Sequence, residues 1–336
     1  LSLDATLDDE RLPDIERMRD ALMDSFDSAT ENIINSIRGE TPFDDRQTVA
    51  AIDITYERIW TRPWDDYENR RPNPDFPRMA SGYQKDGETR YGFKYATLTL
   101  VGDMAPIVLA IEPVKENSGW EAENSTSFSR AAIVERLLDK ATQYVDLDMV
   151  MFDREFDSDG VYEAVAERGV TFLSPIRQYA TELEDIEEIK TTEDTDAGVV
   201  HDIPYYVDGE VHHTAEIIYA PVDGDATDDP DANYGAFKTN MDHVPPEAIA
   251  HVVGQYSRRW DIENQYKSIT AMLPRTSSMD YRVRFANFVL TTLLYNLWRL
   301  TDYLIKAGKG IAIRAPPEVS FRTFIRALTE YLREIG

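Results

Sequence analysis

At 336 residues the chain can bury a large core in one big domain or two ordinary ones, and its 42% hydrophobic and 11% aromatic content is globular, not disordered. The absence of cysteine excludes disulfides and thiolate metal sites, so a metal must sit on carboxylates or some of the five histidines; hard oxygen ligands point to magnesium or manganese. The net charge of −27, with 26 Arg and only 9 Lys, suits a protein kept soluble in concentrated salt, or simply an acidic cytosolic one.

No run approaches 18 apolar residues and no secretory apolar region opens the chain, so neither a membrane span nor export is expected and the location reads as cytoplasmic. The first residue is Leu1 and not Met, which leaves room for an upstream segment.

Residues 1–45 read as polar and helical, with Ile15, Met18, Leu22, Met23, Phe26, Ile33, Ile34 and Ile37 at helix-like spacing. The period then changes. Thr48–Thr55 is an apolar strand interrupted by one charge, Asp53, and Tyr91–Val101 and Pro106–Glu112 are strands joined by a Gly102-Asp103 hairpin signal. Arg130–Tyr144 follows as a helix, Leu147–Phe152 as a strand ending at Asp153, Gly160–Arg168 as a helix and Val170–Ser174 as a strand. A three-stranded meander followed by βαβ units makes a mixed α/β sheet. Residues 175 to about 240 hold short β-like runs (Ile217–Ala220, Tyr234–Thr239) between acidic loops such as Asp223–Asp231, as expected of a β-rich insertion. Helical period resumes from Pro245 to about Thr270, and further helices cover Tyr281–Ile305 and the end of the chain from about Pro317.

Acidity of this size argues against a phosphate-rich partner, but its distribution argues back. From His251 to Gly336 there are 13 Lys and Arg against 7 Asp and Glu, a net of +6 that leaves −33 for the first 250 residues. A locally basic quarter in an acidic chain hints at a polyanion-binding face.

Asp53 and Asp153 stand in apolar strands, where an unpartnered carboxylate costs several kcal/mol. Either each caps a strand end or pairs with an arginine, Arg154 being the nearest in sequence, or both belong to a metal site. Tyr256, Arg259 and Glu263 sit at i, i+3 and i+7 on one helix face, with Lys267 one turn on. Such a face can hold a metal through the acid and phosphates through the bases, or merely form a ladder of surface ion pairs. Asp261 points elsewhere. Three carboxylates converging from two strands and a helix could hold two divalent ions roughly 3.5–4 Å apart, the arrangement that serves phosphoryl transfer.

Together these segments resemble the DDE transposases of bacterial and archaeal insertion sequences, in the group marked by a Y-R-E-K signature. Asp53 in Ile-Asp-Ile-Thr resembles the first acid, Asp153-Arg154-Glu155-Phe156 the Asp-Arg-x-Phe motif of the second, and Tyr256-x-x-Arg259-x-x-x-Glu263 the signature helix. The family lysine falls seven residues after the glutamate, where this chain has Thr270; Lys267 is its expected substitute. Low Lys, acidity and lack of cysteine resemble the haloarchaeal branch.

The resemblance implies an RNase H-like mixed sheet flanked by helices, with a first part of the core over 46–174, a β-rich insertion over 175–242, and the Glu-bearing helix and C-terminal helical region over 243–336. It implies Asp53, Asp153 and Glu263 as catalytic and metal-holding residues for two Mg2+ or Mn2+ ions, and Tyr256, Arg259 and Lys267 as phosphate contacts. Arg282 and Arg284, in the basic quarter, are further candidates for DNA contact. The implied reaction is cleavage at transposon ends and strand transfer into target DNA. A homodimer is expected by analogy, because two ends must be joined. The rival readings are an RNase H-like nuclease that cuts without joining and an inactive remnant that only binds DNA; a two-carboxylate glycosidase is more distant, since nothing resembles a sugar cleft. The His212-His213 pair reads as two side chains facing opposite ways on a strand. Trp260 and Trp298 read first as core residues and second as base-stacking ones.

Overall fold

The computed structural model describes residues 15–37, 47–66, 68–69, 71–77, 79–85, 87–102, 105–114, 129–191, 196–207, 209–222 and 234–335. A long helix, α1 (Ile15–Ile37), precedes β1 (Val49–Ile59), the short β2 (Trp64–Asp66) and β3 (Arg71–Pro72), and the meander β4 (Ser81–Lys85), β5 (Glu88–Leu100) and β6 (Val108–Val114). Next come α2 (Arg130–Ala141), β7 (Met149–Phe152), α3 (Asp159–Ala166), β8 (Thr171–Pro175) and α4 (Ala180–Thr191). Then follow β9 (Gly198–Val207), β10 (Glu210–Pro221), β11 (Tyr234–Thr239), α5 (Ile249–Tyr256), α6 (Trp260–Met272), α7 (Tyr281–Lys309) and α8 (Phe321–Ile335).

Nine of the described strands form one mixed sheet, in the order β4-β5-β1-β7-β8-β11-β10-β9, with β6 also paired to β5. β4 and β6 share one edge of β5, the first along Glu88–Gly92 and the second along Lys94–Thr99. β1 runs antiparallel to β5 and parallel to β7, and β7 is parallel to β8. The central path β6-β5-β1-β7-β8 is therefore an antiparallel meander continued by parallel strands around the crossover helix α3, the RNase H-like arrangement expected.

Side-chain alternation along β1 assigns the two faces. Ala50, Ile52 and Ile54 pack with α1, α2 and α3 on one side, whereas Val49 and Ala51 meet Ile249, Val252, Ile262 and Tyr266 of α5 and α6 on the other. Tyr95 of β5 and Phe285 and Phe288 of α7 extend that second layer, the Tyr95 and Phe288 rings stacking at 4.2 Å. Burial on both faces explains why β1 and β7 are continuous apolar runs.

Several elements differ from expectation. The stretch from 175 onward is not purely β: Ala180–Thr191 is a helix whose acidic surface buries only Ile186. The insertion's strands extend the main sheet, since β11 pairs with β8 and β10, and β10 with β9. The helix expected from Pro245 to Thr270 is two helices, α5 and α6, separated by a 3-10 turn at Ser257–Arg259. Of the expected N-terminal helical region, 1–14 and 38–45 lie outside the described residues, as do Asp103 and the acidic loop Asp223–Asp231. No described helix is long and apolar enough to cross a membrane.

Candidate active site

The parallel register brings the two strand acids together. β1 and β7 pair from Val49–Met149 to Ile52–Phe152, so Asp53 and Asp153 are each the next residue on adjacent strands roughly 4.8 Å apart. Asp153 caps the 3-10 turn Arg154–Phe156, its carboxylate accepting from the Arg154 amide at 2.6 Å. Asp53 is buried, and its carboxylate accepts from the Ile54 amide at 2.7 Å.

The helical side is fastened by two tyrosines. The Tyr266 hydroxyl lies 2.6 Å from the Asp53 carbonyl, to which it donates, and 2.9 Å from the Thr97 hydroxyl, tying α6 to β1 and β5. The Tyr256 hydroxyl donates to the Phe152 carbonyl at 3.0 Å, tying the end of α5 to the end of β7. Between them, the 3-10 turn presents Arg259 and the first turn of α6 presents Glu263. Despite the break in the helix, Tyr256, Arg259 and Glu263 face the same place.

Arg259 lies at the centre. One guanidinium nitrogen lies 3.3 Å from Asp53 Oδ2 and the other 3.0 Å from Glu263 Oε1, and the group sits 5.5 Å from the centre of the Tyr256 ring. The arginine that answers Asp53 is thus Arg259, 206 positions away, and not Arg154, whose side chain is exposed. The i,i+4 pair of Arg259 and Glu263 does form, but with Arg259 only 11% exposed it is part of a half-buried cluster and not a solvated ladder.

A fourth carboxylate joins them. Glu155, the variable position of the second-acid motif, approaches Arg130 at 3.7 Å and the Tyr56 hydroxyl at 3.5 Å. The extended spacing around Asp153 did not suggest it; the 3-10 turn after the strand brings it inward. The electrostatics follow from crowding. Burial pushes the Asp53 carboxyl up to about 7; the Ile54 amide and Arg259 oppose this, while Asp153 and Glu155 add to it. Burial opposes the charge on Arg259, but Tyr256, Asp53, Asp153 and Glu263 together raise its pKa.

This all-oxygen donor set, with more acid than one guanidinium neutralises, fits hard divalent cations. Among the described residues, however, no three His, Asp or Glu side chains stand in metal-holding geometry. At this cluster, Arg259 lies between Asp53 and Glu263.

The other candidates are placed as follows. Lys267 and Thr270 are exposed on α6. Asp261 turns away, as expected, and accepts from the Gly102 amide at 3.0 Å. Arg282 and Arg284 are not brought to the acids. Arg282 binds Asp280 two residues back, and Arg284 is buried, donating to Glu57 at 2.7 Å and to the carbonyls of Ser278 and Thr276. Arg282 is half-buried and Arg284 buried, so neither stands on a fully solvated face. Trp298 is core, with its indole donating to the Val319 carbonyl, while Trp260 is 58% exposed. His212 and His213 do not diverge: a bulge in β10 turns both toward Glu163, at 2.9 and 3.6 Å. Beside Asp153, Arg154 lines a polar cleft with Arg177, Gln178, Tyr179 and Tyr234, which sequence periodicity did not signal.

Comparison with known proteins completes the description. Two solved structures match this chain at low identity. A piggyBac transposase, solved as a synaptic complex with hairpin DNA, is 13% identical with a TM-score of 0.49 over 83% of this chain and 51% of that one. Endonuclease V of Ciona intestinalis, solved with DNA containing an inosine, is 11% identical with a TM-score of 0.33 over 74% of this chain and 99% of that one. The chain therefore spans about half the length of the piggyBac protein. Curated protein sequences give no significant match. The sequence model of the family described as the transposase DDE domain matches residues 77–297, more than half of the chain and a range that includes Asp153 and Glu263. The chain belongs to the DDE transposase family.

Proposed function

We propose that this protein cleaves DNA at the ends of a transposon and joins the freed ends to target DNA, using divalent metal held by Asp53, Asp153 and Glu263. The observation that carries the reading is the convergence of Asp53 and Asp153, on adjacent parallel strands, with Glu263 of α6 around one guanidinium. Two Mg2+ or Mn2+ ions held there would activate the attacking oxygen and stabilise the leaving one. The chain's own contribution is placement. Arg259, backed by the Tyr256 ring, offers a planar fork to a phosphate, and Tyr256 fixes that platform to the end of the strand that carries Asp153. Lys267, exposed one turn beyond Glu263, and Arg154 and Arg177 of the neighbouring cleft extend a basic border along which a DNA backbone can run.

The Tyr256, Arg259 and Glu263 spacing supports the Y-R-E-K group, and low Lys with strong acidity supports the haloarchaeal branch. Joining two ends in one reaction calls for a homodimer in the synaptic complex. The test is a plasmid carrying the DNA that flanks the gene, incubated with the protein and Mg2+ or Mn2+. Wild type is expected to cut at the flanks and give strand-transfer products on a target plasmid, and Asp153→Asn to do neither. Retained ion-dependent cleavage by Asp153→Asn would sink the assignment, and cleavage without joined products would reduce the enzyme to a nuclease.

A further inference from the structure

We infer that Arg259 is a resident cation that keeps the acid cluster closed to metal until a DNA phosphate takes its guanidinium, so that divalent metal and DNA bind cooperatively. The inference rests on the reading that Asp53, Asp153 and Glu263 hold metal. Its basis is position. The two guanidinium nitrogens each engage a carboxylate from a different element, Asp53 of β1 at 3.3 Å and Glu263 of α6 at 3.0 Å. A cation bridging strand and helix would have to share that space, and like charges in a buried cluster repel. Arginine therefore has to leave, or turn aside, before metal enters.

Three features make the displacement feasible. First, the guanidinium is poorly satisfied where it is. Its contacts go singly to two separate carboxylates, one of them long, and Arg259 Nε is buried with no hydrogen-bond partner. A phosphate offers adjacent oxygens that suit the fork better than this split pairing does. Second, the residue belongs to the 3-10 turn that interrupts α5 and α6, a backbone without a continuous i→i−4 ladder. Third, the Tyr256 ring lies beside the guanidinium and is anchored through its hydroxyl to the Phe152 carbonyl, so a platform persists when the arginine changes partner. Exchange of Arg259 from carboxylate to phosphate frees the acids for metal, and metal in turn favours the arginine's phosphate-bound position. Linkage requires the two effects to be equal.

The test measures binding, not cleavage. Manganese is titrated calorimetrically into DNA-free protein in molar KCl, for wild type, Arg259→Ala, Arg259→Gln and both Arg259 variants with Glu263→Ala added, each checked for folding by circular dichroism. Arg259→Ala, or Arg259→Gln should the alanine chain not fold, is expected to bind Mn2+ at least about tenfold tighter than wild type, a coupling within the usual range. Reciprocally, Ca2+ should tighten binding of a fluorescent DNA duplex by a larger factor in wild type than in the Arg259 variants, read by anisotropy. Mn2+ affinity equal to or weaker than wild type in the folded Arg259 variants overturns the inference. If adding Glu263→Ala to the folded Arg259 variant leaves that variant's Mn2+ affinity unchanged, the metal-site reading itself fails, which is a distinct result.

Discussion

Asp53, buried, and Glu57, half-buried, lie four residues apart on the same face of β1, each answered by an arginine from the C-terminal quarter. Around Glu57 the accounts close. Each of the three guanidinium nitrogens of Arg284 donates, one to Glu57 and two to backbone carbonyls, and the Tyr95 hydroxyl donates to the other oxygen of Glu57 at 3.2 Å. Around Asp53 they do not: Asp153, Glu155 and Glu263 crowd the same neighbourhood, and the one central arginine keeps an unpartnered Nε. One strand therefore carries a completed structural pair and, four residues earlier, a cluster with surplus negative charge. Surplus charge around a buried acid is hard to explain by stability, since even well-made ion pairs of this kind add little. It is what the proposed cation site would require.

The widest separation between the two should appear in chemistry. Asp53→Asn is expected to lower metal-dependent cleavage by about 10³-fold or more, because the stabilisation lost with a metal ligand amounts to several kcal/mol. Glu57→Gln, per folded molecule, should stay within about threefold of wild type. Equal losses in both variants would mean that the strand, and not the acid cluster, is what cleavage needs.

Stability should show the reverse order. Arg284→Met leaves Glu57 buried without its cation, and breaking such a pair costs about 3–5 kcal/mol. Asp53→Asn instead removes one member of an overcrowded set and keeps the Arg259 contact to Glu263, so its unfolding midpoint in urea should fall little or rise. A larger loss from Asp53→Asn than from Arg284→Met would overturn the contrast.

How much of this was legible from sequence follows the same division. Periodicity located β1, β5, β6, β7 and the C-terminal helices, because burial on defined faces dictates their apolar spacing. The acids stood out because charge inside an apolar run demands a reason. Their partners did not stand out. Arg259 meets Asp53 across 206 positions and Arg284 meets Glu57 across 227, so nothing local tells a structural arginine from a functional one. Ser81–Lys85 escaped notice because it is a largely exposed strand of polar residues, and Ala180–Thr191 because a helix that buries one isoleucine has almost no apolar stripe. The bulge that points His212 and His213 at one glutamate is a register shift, invisible to a strict period of two.

A smaller effect concerns pH. The Asp53 carboxyl, held by burial at about 7 against its ordinary 3.8, keeps its proton more tightly folded than unfolded. Its contribution to stability is thus full below about pH 4 and is lost as pH rises through about 7. Subtracting the two stability curves isolates this group: Asp53→Asn should gain on wild type between about pH 4 and 7, by at most about 1.4 kcal/mol per pH unit. A difference that stays flat across that window would mean that Arg259 and the Ile54 amide offset the burial of Asp53 in full.

The smallest effect tests the outer border of the cluster. Lys267 is exposed on α6 one turn beyond Glu263, so its removal breaks no buried contact, and Lys267→Ala should leave the unfolding midpoint within about 0.5 kcal/mol. If the lysine meets a phosphate, its loss should nevertheless flatten the dependence of log K for DNA on log salt by about one. Arg284, already spent on Glu57, predicts no such change in slope for any Arg284 variant that folds. The comparison therefore turns on slopes and not on affinities alone, because molar salt weakens every phosphate contact together. An unchanged slope in Lys267→Ala would remove it from the DNA path and leave the Arg154 and Arg177 cleft, on the Asp153 side, as the cationic border of the site.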